Sequence, residues 1–302
     1  MPDPNDGART QRTAGGAVIA YRLWRPGGPR QLLVLLHGLA SNMTRWSEFV
    51  ARTTLRDSWD LLRVDLRGQG LSVHRGRAGM AEWCGDLAAI LDAEGYPQAV
   101  VGGHCLGANI AVEFAARHPG KVSGLVLIEP MPREALTGPM RQIARLRPLF
   151  GPAVWLIRAL NALGVHRRRL EPLDLEEFDR ETRAAISAGG AAEALLERYA
   201  SPWLDLRTTP SGAYLQALIA VGGRLPDLSA IRTPVLALLS TGSAFTDPMI
   251  TEQWLAGFPD YRIVRLDARH WIPTEQPEAM RRAIEDWCGG ATSRARVSVR
   301  TR

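Results

Sequence analysis

Short apolar runs recur along this chain at intervals that suit buried strands. Residues 32–36, 61–65, 99–103, 122–129 and 234–240 are built mainly from leucine, valine, isoleucine and alanine, residues 261–267 alternate such residues with polar ones, and each segment is too short for an ordinary helix. Ahead of them, residues 12–23 turn back at Gly15-Gly16 and read as a hairpin. Helical periodicity fills the gaps, over 46–53, 80–94, 105–117, 248–258 and 277–288. Strands alternating with helices predict an α/β protein with a mostly parallel sheet, eight-stranded once the hairpin is counted, and helices flanking it.

One interval breaks that rhythm. From Met131 to Ala230 the pattern is helical, with apolar residues grouped at Trp155, Leu156, Leu160 and Leu163, then at Ala194, Leu195 and Tyr199, then at Tyr214, Leu215 and Leu218. Prolines at 139, 148, 152, 202 and 210 punctuate it. The chain therefore divides into a core of residues 1–130 and 231–290 and a helical insertion of 131–230. The 302 residues are enough for one large domain carrying such an insertion.

Composition narrows the setting. The first residues are polar, without a basic-then-apolar leader, and no apolar stretch is long enough to span a bilayer, so a cytoplasmic protein with no membrane partner is expected. Three scattered cysteines, Cys84, Cys105 and Cys288, suit a reducing compartment rather than a disulfide framework. The formal charge of +6 owes four units to Arg294, Arg296, Arg300 and Arg302, in a stretch (291–302) that holds no acid and reads as a disordered tail. The run Arg167-Arg168-Arg169 reads as a solvated face, and no nucleic-acid partner is expected. No zinc spacing, P-loop or dinucleotide fingerprint appears, so neither a metal nor a cofactor is implied.

The chemistry centres on Cys105. An apolar strand ends in Gly102-Gly103, His104-Cys105-Leu106-Gly107 follows, and a helix of small and apolar residues begins at once. Strand, sharp turn and helix, with glycine on both sides of a nucleophilic residue, form a nucleophile elbow, here Gly-x-Cys-x-Gly. The flanking glycines let strand and helix pack closely around a strained residue. A lone cysteine in an apolar run is more often core than catalyst, so its surroundings decide the matter. Upstream, an apolar strand ends in His37-Gly38-Leu39, with Trp46 beyond it. Then comes Arg63-Val64-Asp65-Leu66-Arg67-Gly68-Gln69-Gly70-Leu71-Ser72. Near the end stand Arg269-His270-Trp271-Ile272-Pro273 and Glu275-Gln276-Pro277-Glu278.

In that order these segments resemble the α/β-hydrolase superfamily over nearly the whole chain, from about Arg12 to Cys288. The resemblance implies that residues 131–230 form a cap, or lid. It also implies that Cys105 is the nucleophile and His270 the base, and that the N–H groups of Leu39 and Leu106 hold an oxyanion. A free thiol of pKa ~8.5 needs a base or a helix dipole to ionise at neutral pH, and the elbow and His270 would supply both. The orienting acid departs from the common pattern, because the usual position after Pro234 falls on Ser243. Two carboxylates remain. Glu129 ends the strand before the insertion, the acid position used in haloalkane dehalogenases. Asp247, followed by Pro248, also reads as a helix N-cap. Glu129 is preferred.

Pocket residues are expected at His37, His104, Met131, Trp155, Tyr199, Trp203, Tyr214 and Trp271, although His37 also suits a brace for the oxyanion loop. Cysteine in place of an aspartate nucleophile argues against dehalogenation and epoxide opening. It favours acyl transfer through a thioester acyl-enzyme, with dienelactone hydrolases as a precedent on this fold. The expected reaction is hydrolysis of an ester, thioester or lactone of an apolar small molecule, free, carrier-bound or CoA-linked. Transfer of the acyl group to an amine, alcohol or thiol is the nearest alternative. A lyase or isomerase using His270 for acid–base work, and a binding protein with an idle Cys105, are further ones; nothing in the sequence fixes the oligomeric state.

Overall fold

A computed structural model describes residues 3–187, 199, 201–242 and 244–299. Ala194, Leu195, Ser243, Arg300 and Arg302 lie outside them. The chain folds around one eight-stranded sheet in the order β1-β2-β4-β3-β5-β6-β7-β8. Its strands are β1 (Asp6–Arg12), β2 (Val18–Trp24), β3 (Gln31–Leu36), β4 (Trp59–Val64), β5 (Ala99–His104), β6 (Val122–Ile128), β7 (Val235–Ser240) and β8 (Tyr261–Leu266). β1 and β2 pair antiparallel, β2 joins β4 antiparallel, and every later pairing is parallel. The predicted hairpin is thus present and starts earlier, at Asp6, because the polar opening residues pair in full register with β2.

The parallel strands explain their own composition. β4, β5 and β7 are buried at every position and β3 at all but its first, since helices cover both faces of the sheet. Leucines therefore need not alternate with polar residues. One face packs against α2 (Met80–Glu94) and α3 (Leu106–Arg117), with Leu87, Ile90, Ile110 and Phe114 at its centre. The other meets α1 (Ser47–Arg52) and the last helix through Trp46, Phe49, Met280 and Ile284. Cys84 and Cys288 are fully buried in these two layers, and burial, helped by nearby Glu113 and Glu285 respectively, pushes both thiols up to about 12.

Between β6 and β7 lie α4 (Gly138–Ala162), α5 (Leu175–Ser187), α6 (Pro202–Thr208) and α7 (Ser211–Val221). Pro148 and Pro152 sit inside α4 rather than ending it. After β7 come α8 (Pro248–Leu255), the short α9 (Ile272–Glu275) and α10 (Pro277–Val299). Helical periodicity predicts that the last helix ends near Cys288, with a disordered tail from 291. The helix instead carries on to Val299 and takes in most of the basic segment.

Candidate active site

The ends of β5, β6 and β7 and the loop after β8 converge on one spot. Cys105 follows β5 and is the residue before α3, with φ 56° and ψ −115°. Only three non-glycine residues among those described have positive φ: Ala40, Cys105 and Glu129. All three belong to this spot, and such conformations persist only where surrounding structure enforces them, at about 1–3 kcal/mol each. Close packing enforces the elbow. A Cβ on Gly103 would lie 2.3 Å from the Gly107 carbonyl carbon, and one on Gly107 would lie 2.4 Å from the Leu36 oxygen. Neither glycine can be replaced without moving strand from helix.

His270 stands on the loop between β8 and α9, and its Nδ1 is 3.2 Å from Glu129 Oε2. Glu129 is 5% exposed, and its other oxygen accepts the Ser240 N–H at 2.5 Å, which fixes the carboxylate plane from β7. With Nδ1 directed to Glu129, Nε2 is left for the hydrogen bond to Cys105. Burial pulls the imidazole pKa down, but hydrogen bonds to Cys105 and Glu129, with the charges of both, hold it up at about 9. Asp247 takes no part, because its carboxylate accepts the N–H groups of Met249 (2.9 Å) and Ile250 (3.2 Å) as the N-cap of α8. Phe245 meets the imidazole edge-on, with ring centres 4.8 Å apart.

Glu275 shapes the histidine loop. Its Oε1 accepts the N–H groups of Arg269, His270 and Trp271 at 3.1, 3.2 and 2.9 Å. Ser240 Oγ, 3.0 Å from the Arg269 carbonyl, ties the same loop to β7.

The oxyanion residues flank the nucleophile. Leu106 opens α3, so its N–H has no acceptor within the helix. Gly38, next to Leu39, lies so near the elbow that a Cβ there would meet Cys105 Cβ at 3.3 Å. His37 holds this loop from below. The Leu66 N–H donates to its Nε2 at 3.0 Å, so Nδ1 carries the proton and donates to the Gly38 carbonyl at 2.8 Å. Full burial takes its pKa down to about 4, and it stays neutral. His37 is thus a brace, and the expectation that it lines the pocket is corrected.

A cavity of about 200 Å³ opens above Cys105. Of the expected lining residues, His104, Met131, Tyr199, Tyr214 and Trp271 are on its wall. Trp155 and Trp203 are not; they point outward, 71% and 79% exposed. An apolar helix residue says nothing of which side of the helix faces in, and both tryptophans fall on the outer side. His104 is buried, its Nε2 2.9 Å from the His270 carbonyl; burial and then the neighbouring imidazole hold its pKa well below the usual value. Met131 Sδ lies 3.0 Å from Cys105 Sγ, and its backbone is clamped by Asn109, whose amide donates to the Met131 carbonyl and accepts its N–H, both at 2.9 Å.

The insertion supplies the rest of the wall: Met140 and Ile143 from α4, Leu175 and Phe178 from α5, Leu204 and Asp205 from α6. Asp205 is the polar exception, and burial, only partly offset by a hydrogen bond from Tyr214, lifts its carboxyl to about 7. Arg45, also on the wall, is already engaged. Its Nη1 is 2.6 Å from both Asp179 Oδ2 on α5 and Thr274 Oγ1 on α9, and its guanidinium stacks over Tyr199, whose hydroxyl donates to Asp179 at 2.8 Å. One ion pair thus joins insertion, core and histidine loop. None of Phe245, Asn109 or Asp179 is singled out by the sequence, and Glu275 figures there only as part of the segment after the histidine loop. Only Asn109 carries a signal, as the one polar residue in the apolar first two turns of the helix after Cys105.

A strand-turn-helix elbow beneath a mixed sheet, with histidine and carboxylate from later strand ends, defines an α/β-hydrolase-fold enzyme. The chain belongs to that family: the model of the alpha/beta hydrolase fold matches residues 31–277. A Pseudomonas aeruginosa hydrolase of known structure is 25% identical, covering 94% of this chain and 98% of its own, with a TM-score of 0.68. A thermophilic esterase from Thermogutta terrifontis, 22% identical, superposes equally well, with a TM-score of 0.68 over 94% of this chain and 99% of its own. Among curated sequences, a Haemophilus influenzae protein provisionally named an esterase/lipase is 23% identical over 260 residues, 84% of this chain and 82% of its own length.

Proposed function

We propose that the protein is a hydrolase of small acyl compounds, working through a covalent thioester on Cys105. The observation that carries this reading is the buried imidazole of His270, its Nδ1 3.2 Å from Glu129 Oε2 and its pKa held up by the neighbouring Cys105 and Glu129. The strained backbone at Ala40, Cys105 and Glu129 supports it, as do the esterase and hydrolase relatives.

In the proposed cycle Cys105 Sγ attacks the acyl carbon and its proton resides on His270 Nε2. The carbonyl oxygen takes up negative charge and is held by the N–H groups of Leu39 and Leu106, at roughly 3 kcal/mol per donor. As the tetrahedral centre collapses, the bond to the leaving group breaks and His270 protonates it. Water then attacks the thioester carbonyl, gives a proton to His270, and the carboxylic acid leaves as the thiol is restored. Residues 131–230 act as the cap of this pocket, and the apolar walls from α4 to α7 select an apolar acyl group, with Asp205 and Tyr214 as its polar end. The three cysteines, all free, suit a reaction in the cytoplasm. Transfer to an amine, alcohol or thiol is the second reading, because a thioester is a better acyl donor to these than to water.

Mixing the protein with activated esters and measuring intact mass is the direct test. One acyl adduct should accumulate and map to Cys105, then disappear as product acid forms. An enzyme that turns the esters over with no adduct in the burst phase would defeat the covalent route, and no turnover or adduct across esters, lactones and acyl thioesters would defeat the hydrolase reading.

A paired substitution tests the acid. Glu129→Gln should lower kcat/KM by roughly tenfold or more, because the neutral amide no longer stabilises the imidazolium. Asp247→Asn should leave it within about twofold, since asparagine caps a helix about as well as aspartate. The opposite order of losses would reassign the acid.

A further inference from the structure

The outer side of the insertion has no part in the site beneath it. Between Glu134 and Glu171 the chain carries seven arginines (141, 145, 147, 158, 167, 168 and 169) and no acidic residue. None of these arginines makes an ion pair among the described residues, and all but Arg147 are exposed. Along α4 a second, exposed apolar line runs opposite the packed side. Leu146, Leu149, Leu156, Leu160 and Leu163 are 48, 66, 54, 38 and 79% exposed, and their spacings of three, seven, four and three residues keep them on one face. Trp155, 71% exposed, lies further round the helix from that line. Arg141 and Arg145 continue it towards the helix start, and Arg167-Arg168-Arg169 follow the helix end. An apolar stripe bracketed by unpaired cations is costly to leave in water.

We infer that the outer face of α4 and the basic run after it form a peripheral docking surface for an anionic lipid membrane. The two chemistries of the face fit the two layers of such a surface. The leucines enter the acyl boundary while the arginines at both ends reach the phosphates. The run at 167–169, which sequence alone reads as a solvated face, gains a role from its position next to the stripe. A second copy of the chain is the poorer occupant. A two-fold contact through this face would set arginine against arginine, with no acid between Glu134 and Glu171 to relieve it. Docking is peripheral, since among the described residues no helix is long and apolar enough to cross a membrane. The opposite side of the same helix presents Met140 and Ile143 to the cavity, so a docked chain holds its pocket against the bilayer surface.

Vesicle sedimentation tests this without reference to catalysis. The full chain should sediment with vesicles of phosphatidylcholine containing phosphatidylglycerol, remain free with phosphatidylcholine alone, and be released by high salt. Replacing Arg167, Arg168 and Arg169 together by alanine should weaken binding on the order of a hundredfold. Leu156→Gln with Leu163→Gln should weaken it at least about tenfold while the circular dichroism spectrum stays that of the parent. Failure to bind anionic vesicles at low salt would overturn the inference. So would binding that ignores lipid charge, or full binding by either variant. A solution dimer dissociated by the two leucine substitutions would assign the face to a second copy instead.

Discussion

Cys105→Ala is expected to cut turnover of activated esters by roughly four orders of magnitude or more while leaving the fold intact. The loss is large because Cys105 is the cavity residue at the elbow, paired with His270, on which the proposed acyl-enzyme forms. The fold survives because alanine suits the elbow at least as well as cysteine. The positive φ is enforced by the Gly103 and Gly107 contacts, and the thiol leaves only a small gap beside Met131. Iodoacetamide should label the same residue first. Cys84 and Cys288 are 0% exposed and held protonated by burial, whereas Cys105 opens onto the cavity. Equal labelling of all three, or an alanine variant with parental turnover, would remove Cys105 from the chemistry.

His270→Ala should cost about a thousandfold or more, because thiol deprotonation and leaving-group protonation both pass through that ring. The imidazole also sets the pH dependence. Its pKa is raised from 6.5 to about 9, so the imidazolium beside Cys105 and Glu129 is kept across neutral pH and lost as pH climbs through 9. Its contribution to folding stability has the same sign, fully present below 6.5 and gone above 9. The kcat/KM profile should therefore fall on its alkaline side near 9. Glu129→Gln should move that fall to lower pH, since it removes one of the charges that hold the proton. His37 and His104 stay neutral throughout this range and cannot imitate the limb. A limb that ignores Glu129→Gln, or a His270 variant within tenfold of the parent, would point to another base.

The sheet was legible because its parallel strands are covered on both faces and so appear as unbroken apolar runs, as in 32–36 and 99–103. The meeting of Cys105, His270 and Glu129 was also foreseeable, since each stands where a strand gives way to a loop. The insertion was harder to read. Helix α4 has one apolar side at Met140, Ile143 and Val154 and another from Leu146 to Leu163, and periodicity cannot tell which is packed. Trp155 and Trp203 were assigned to the pocket for that reason and lie outside it. Supports such as Glu275 and Ser240 act through backbone groups of the histidine loop, a role that leaves no pattern along the chain.

The ion pair of Arg45 and Asp179 bears on how this pocket could be re-engineered. It links α5 to Thr274, four residues from His270, so widening the cavity from the α5 side would also loosen the loop that aims the imidazole. Met140 and Ile143 line the cavity from α4, and among the described residues neither makes a side-chain hydrogen bond to the histidine loop. Truncating them adds room for bulkier acyl groups and leaves the alignment of the reacting atoms alone. Substrate range and catalytic alignment are thus adjustable separately on one side of this pocket and locked together on the other.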